Sequence, residues 1–238
     1  KPRLINSKNW FGNVFTFGES KIYSILAFAN LEFVFDISNY INTLILLSYM
    51  NRKITEQFNL ASEIGFSTSL GLDNNDSIIT ISCKGHNDKF VDYFNMVIKY
   101  IKEFKFSSGD EVMVKTIIDA TKDSFVNIKK ANPWNYSTYL EKLNVNPHAY
   151  SIEEVTKYLN SFTISNFKFK LNETKNRILY QSKFSSFFYG NITEDKLFKS
   201  EKNVDLNFTS IEKPKNTIKL LTDIEECHPN KQEKDNFV

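Results

Sequence analysis

Residues 61–90, ASEIGFSTSLGLDNNDSIITISCKGHNDKF, leave the backbone few options. Over residues 63–72, Ile64, Phe66, Thr68, Leu70 and Leu72 fall on one side, with Glu63, Ser67, Ser69 and Gly71 on the other. That period of two belongs to a half-buried strand. Asp73, Asn74, Asn75 and Asp76 carry short side chains that tolerate left-handed backbone and bond their own main chain, which is turn chemistry. Residues 77–84 return as a β-branched strand, with Ile79, Ile81 and Cys83 on one face and Ile78, Thr80 and Ser82 on the other. Gly85 is expected to break this strand, and Asn87 or Asp88 to cap a helix after it. A helix, a hairpin and a helix follow from local physics alone.

The flanking sequence extends the pattern. Residues 1–21 are polar with aromatic interruptions at Trp10, Phe11, Phe15 and Phe17, and predict a linker feeding a strand. In residues 22–36, Leu31, Phe33 and Phe35 alternate with Glu32 and Val34, which predicts a strand at least in the second half. Ser38 or Asn39 then caps an apolar helix over residues 39–59. Beyond the hairpin, Tyr93, Phe94, Val97, Ile98 and Ile101 give residues 88–104 a helical stripe. Ser108 with Glu111, and Ser151 with Glu154, read as capping boxes of two further helices. Asn132-Pro133 separates the first of these from a short helix at 136–143, and residues 164–176 read as helical or mixed. Residues 177–189 predict the last strand, and Thr193 caps a short helix. The order β, α, ββ, helices, β, α describes an α+β domain with an antiparallel sheet backed by helices. Its expected bounds are 22–200, between the linker at 1–21 and a polar linker with the truncated start of a following domain at 201–238. The chain opens on Lys1 without a Met, as expected of an internal segment or processed product.

Composition excludes more than it selects. Of the 238 residues 41% are apolar, with 22 Phe and 11 Tyr, ample for a core. A formal net charge of +2 gives no field toward nucleic acid or an anionic membrane. The longest apolar run, residues 40–50, is too short to span a bilayer. Two cysteines, Cys83 and Cys227, make no disulfide framework and favour a reducing, cytoplasmic compartment. The histidines, His86, His148 and His228, are too scattered for a helical metal pair, and adjacent side chains at Cys227-His228 diverge. No G-x-S-x-G occurs, and the seven glycines form no phosphate-binding cluster. Asp119 and Asp123 share a helix face and read as solvated, while residues 183–189 read as core rather than a base-stacking platform. From residues alone, no catalytic or metal-binding group is visible.

The central stretch does carry a resemblance. ASEIGFSTSL followed by CKGHNDK resembles the hairpin of insulinase/pitrilysin (inverzincin) metallopeptidases, where relatives read KGYNDK. Leu31 to Asp36, LEFVFD, is similar to a strand of that family, and FYGNIT at 188–193 to a strand end and helix cap. The pieces keep their order over residues 2–222, and the match is to the third of four homologous domains. The resemblance implies an insulinase-like domain without the metal site. In the family, zinc is held by an H-x-x-E-H helix and a downstream Glu in the first domain, and the four domains enclose a chamber that admits peptides. Here residues 39–59 contain no His and only Glu56 as a carboxylate. The chain is therefore expected to be a non-catalytic part of an insulin-degrading-enzyme-like zinc metalloendopeptidase, inactive alone. It would contribute chamber wall and substrate cradle to peptide substrates, with zinc in a catalytic domain supplied in cis or in trans and with a homodimer open to it. Lys84, His86, Asn87 and Lys89 are the expected substrate or inter-domain contacts, His86 standing where relatives have Tyr. Two alternatives stay open: an inactive structural or regulatory subunit of the complex III core or processing-peptidase partner type, and a decayed remnant acting as a binding module.

Overall fold

The computed structural model describes residues 2–5, 8–13, 20–73, 77–130, 132–146, 148–199 and 204–208. Among them six strands form one sheet: β1 (Arg3–Leu4), β2 (Asn9–Asn13), β3 (Lys21–Ala29), β4 (Ser67–Asp73), β5 (Ile78–His86) and β6 (Lys183–Gly190). Their spatial order is β1-β2-β6-β3-β5-β4, and every neighbouring pair is antiparallel except β2 with β6. The described helices are α1 (Ile37–Gln57), α2 (Asn59–Glu63), α3 (Phe90–Glu103), α4 (Glu111–Ile128), α5 (Pro133–Val145), α6 (Ile152–Ser161), α7 (Ile164–Tyr180) and α8 (Glu194–Phe198). This is the expected α+β fold, a mainly antiparallel sheet backed by helices.

Strand alternation decides which face is backed. Ile79, Ile81 and Cys83 of β5 are buried beside Ile22, Leu26 and Phe28 of β3 and Phe184 and Phe188 of β6. Against this face lie Leu46 and Met50 of α1, Phe94 and Ile98 of α3, and Leu171 and Ile178 of α7, in one continuous core. α4 and α6 pack on α1 as a second helical layer, while α5 buries no residue and touches α4. Cys83 is 2% exposed, and burial pushes its thiol up to about 11, so it is a small apolar residue of the core.

Several local expectations are corrected. The stretch at 1–21, read as a linker, contributes β1 and β2, with Trp10 beside Phe187 of β6. In residues 22–36 the strand is the earlier half. Asn30 ends β3, its Oδ1 accepting from Glu32 N at 2.9 Å and its Nδ2 donating to Gln181 O at 2.8 Å, and Leu31–Phe33 form a 3₁₀ turn. Asp36, not Ser38 or Asn39, caps α1 by accepting from Asn39 N at 2.7 Å. Gly85 does not break β5. A Cβ there would sit 2.1 Å from Cδ1 of Phe66, so the glycine admits the Phe66 ring against the strand.

The later boundaries shift for similar reasons. Neither Asn87 nor Asp88 caps α3 at its N-cap, which is Lys89; the Asp88 carboxylate accepts from Lys89 N instead. Ser108 lies in a 3₁₀ turn, Ser108–Asp110, rather than a capping box, whereas the Ser151–Glu154 box is present. Ile178 and Leu179 complete the buried stripe of α7, so β6 starts only at Lys183. At its end Gly190 has φ +141°, and a Cβ would meet Lys21 O at 2.3 Å, a position that only glycine fills. Thr193 caps α8 as expected. Asn74, Asn75, Asp76, Cys227 and His228 lie outside the described residues.

Candidate functional site

The second face of the sheet bears a shelf of aromatic and aliphatic side chains. Trp10 is 45% exposed, Ile25 41%, Tyr23 39% and Tyr189 37%, although each belongs to a paired strand. Strand register places them side by side: Trp10 and Ile25 flank Phe187, and Tyr23 stands opposite Tyr189. The Phe187 and Tyr189 rings run nearly parallel, at 16° and 6.1 Å between centroids. Strand register thus makes these exposed side chains neighbours on one face.

The expected site residues reach this shelf unequally. Lys84 stands opposite Tyr23 on β5, and its ammonium lies 5.1 Å from the centre of the Tyr23 ring, a cation–π contact at the edge of the shelf. His86, two residues on, ends the strand. Its Nδ1 is 3.1 Å from Ser20 Oγ, its ring meets Phe66 edge-on at 6.0 Å, and a Cβ on Gly65 would sit 3.1 Å from its Nε2. The imidazole is thus wedged into the strand exit. Asn87 works through its backbone, its N–H donating to Ser20 O at 2.8 Å and its carbonyl accepting from Lys196 Nζ at 3.0 Å. Lys89 is exposed and pairs loosely with Asp92 at 3.9 Å. The structure therefore brings Lys84 to the aromatic shelf and leaves Asn87 and Lys89 in the turn that joins β5 to α3.

Sequence reasoning missed the shelf itself. Lys183, Ser185, Phe187 and Tyr189 alternate with the buried Phe184, Ser186 and Phe188, so the signal was a second apolar set on β6 that a one-sided strand does not need. Trp10 was hidden by reading its stretch as a linker.

Among the described residues no group of three or more His, Cys, Asp and Glu could hold a metal ion. α1 offers Glu56, paired with Lys53 at 3.2 Å, and no His; Asp119 and Asp123 of α4 are exposed. These residues do not fit a zinc site. No helix among the described residues is long and apolar enough to cross a membrane.

Comparison with known proteins agrees with this architecture. The family model for the middle or third domain of peptidase M16 matches residues 1–158. Pitrilysin is similar in structure, with a TM-score of 0.66 at 16% identity over 81% of this chain and 20% of pitrilysin. A conserved protein from Enterococcus faecalis V583 gives 0.61 at 12% identity, covering 85% of this chain and 50% of that one. The ferredoxin protease FusC, solved as a point mutant in complex with Arabidopsis ferredoxin, gives 0.58 at 11% identity over 85% of this chain and 22% of FusC. Comparison with curated protein sequences returns no match. The class is thus a pitrilysin-like α+β domain. The chain belongs to the peptidase M16 family, in its middle or third domain. It spans a fifth to a half of the length of these structural relatives.

Proposed function

We propose that this chain is the non-catalytic third domain of an insulin-degrading-enzyme-like zinc metalloendopeptidase, and that its aromatic sheet face lines a peptide-enclosing chamber. The observation that carries the reading is the shelf of Trp10, Tyr23, Ile25, Phe187 and Tyr189 on a domain matched to this part of the family. Apolar side chains of an extended peptide would lie on these rings, and a peptide carboxylate would meet Lys84 at their edge. His86 and Asn87 brace the strand exit that presents Lys84, and the exposed Lys89 contacts a neighbouring domain. Zinc would sit in a catalytic domain, in cis or in trans, where it would polarise the scissile carbonyl and activate water. Residues 22–200 form the domain body, joined by β1 and β2, and 201–238 lead toward a following domain.

A photocrosslinking amino acid at position 23 of the whole peptidase tests this. With cleavage blocked by a chelator, the expected product is a covalent adduct with a bound peptide. Crosslinks only to another domain of the protein would show instead that the shelf is an internal contact and would overturn the reading.

A further inference from the structure

A cavity of about 620 Å³ opens between α4, α5 and the loop from α5 to α6, on the helical side of the molecule, away from the aromatic shelf. Its size lies within the range of small-ligand pockets. It exists because α5, started by Asn132 and Pro133, stands beside α4 without burying any residue of its own. Its walls include the rings of Tyr40, Phe125, Tyr139, Tyr150 and Trp134, with the polar side chains of Asn127, Asn135 and Thr138 among them.

Those walls are set before any ligand arrives. The Tyr150 hydroxyl donates to Val34 O at 2.8 Å, and the Tyr139 hydroxyl accepts from Ile152 N at 2.8 Å. Both phenols are thereby fixed by backbone, and their rings face the cavity as apolar surface. Tyr40 packs on Tyr150 at 5.4 Å and edge-on to Phe125 at 6.5 Å. Trp134, by contrast, is 79% exposed at the mouth.

Charge then narrows the occupant. Among the described lining residues Lys142 carries the formal charge, His148 is part of the wall, and no carboxylate takes part. The two carboxylates that bear on Tyr150, Asp36 and Glu154, are outside the lining and accept hydrogen bonds at the starts of α1 and α6. We infer that this cavity binds a ligand that joins an aromatic or branched apolar group to a single carboxylate, the rings taking the apolar body and Lys142 the anion. Both the C-terminal residue of a peptide and a free aromatic acid have that chemistry. The inference concerns a site separate from the sheet face and stands without the reading proposed for that face.

The test uses the full 238-residue chain. Amide NMR spectra are followed during titration with acetyl-alanyl-phenylalanine, its carboxamide, 3-phenylpropionate and 3-phenylpropanamide. At least one acid is expected to bind saturably, with shifts confined to α5, the end of α4 and residues 148–150. It should bind about tenfold more tightly than its amide, as a charge-assisted contact requires. In Lys142→Met, a change on a helix that buries nothing, that preference should vanish while weak apolar binding and the rest of the spectrum remain. Binding of the peptide acid assigns the site to peptide C-termini, and binding of 3-phenylpropionate alone assigns it to free aromatic acids. No saturable binding by either acid, equal binding of acids and amides, or an unchanged preference in Lys142→Met overturns the inference.

Discussion

The hydroxyl of Tyr49 donates to the carboxylate of Asp110 at 2.6 Å, tying the middle of α1 to the start of α4. Lys53 Nζ reaches the other oxygen of the same carboxylate at 3.2 Å. The Tyr49 ring is fully buried and meets Phe104 edge-on at 5.0 Å, so its hydroxyl has no easy route to water. Tyr49→Phe is expected to cost about 1.5–3 kcal/mol, the range for a hydrogen bond to a charged group. Urea denaturation measures it, and an unchanged midpoint would mean the bond contributes nothing net.

Alkaline pH should weaken the fold. Burial is the main cause that raises Tyr49 above the ordinary tyrosine range, pushes Tyr150 up to about 12 and pushes Cys83 up to about 11. These groups keep their protons in the fold where the unfolded chain has lost them. The unfolded state then binds fewer protons, and stability falls as pH rises through and above the unfolded values of about 8.5–10. Lys175 acts in the opposite sense. Its ammonium donates to Lys102 O at 3.0 Å and Phe104 O at 2.8 Å, and burial lowers its pKa, so its contribution rises with pH until the unfolded lysine titrates. Urea midpoints across the alkaline range should fall, and less steeply in Tyr49→Phe.

Gly85→Ala should force the Phe66 ring off β5, since the new methyl would lie 2.1–2.3 Å from two of its carbons. Overpacking of this kind costs about 1–3 kcal/mol. The loss should appear in urea denaturation, and Phe66→Leu in the same chain should recover part of it. A Gly85→Ala protein as stable as the parent would leave the glycine without a packing role.

The β4 edge of the sheet is clamped from within. Asn51 of α1 accepts from Leu70 N and donates to Leu70 O, both at 2.8 Å, and so stands in for a strand partner. Asn51→Leu should lose about 1–3 kcal/mol and expose an edge that pairs with other chains. Chemical denaturation reads the first effect, and light scattering at rising concentration reads the second.

What the sequence reveals here depends on where the deciding partner lies. β5 and α3 are legible because their own periods match the face they bury, from Ile79, Ile81 and Cys83 to Tyr93, Phe94 and Val97. The 3₁₀ turn at Leu31–Phe33 is not, because its alternation imitates a strand and the deciding bond is from Asn30 to distant Gln181. Gly85 reads as a breaker until Phe66 is seen against it. Lys84 is an expectation of its motif, and its place beside Tyr23 comes from strand register. The shelf it borders is assembled from β2, β3 and β6, far apart in sequence, and only register joins Trp10, Ile25 and Phe187.

Zinc content and peptide cleavage, measured together on the chain purified alone and after recombination with the zinc-binding part of its peptidase, test the central claim most directly. Alone, the chain is expected to retain no stoichiometric zinc and to cleave nothing; recombined, it should raise chelator-sensitive turnover. Stoichiometric zinc and chelator-sensitive cleavage by the chain alone would contradict the account.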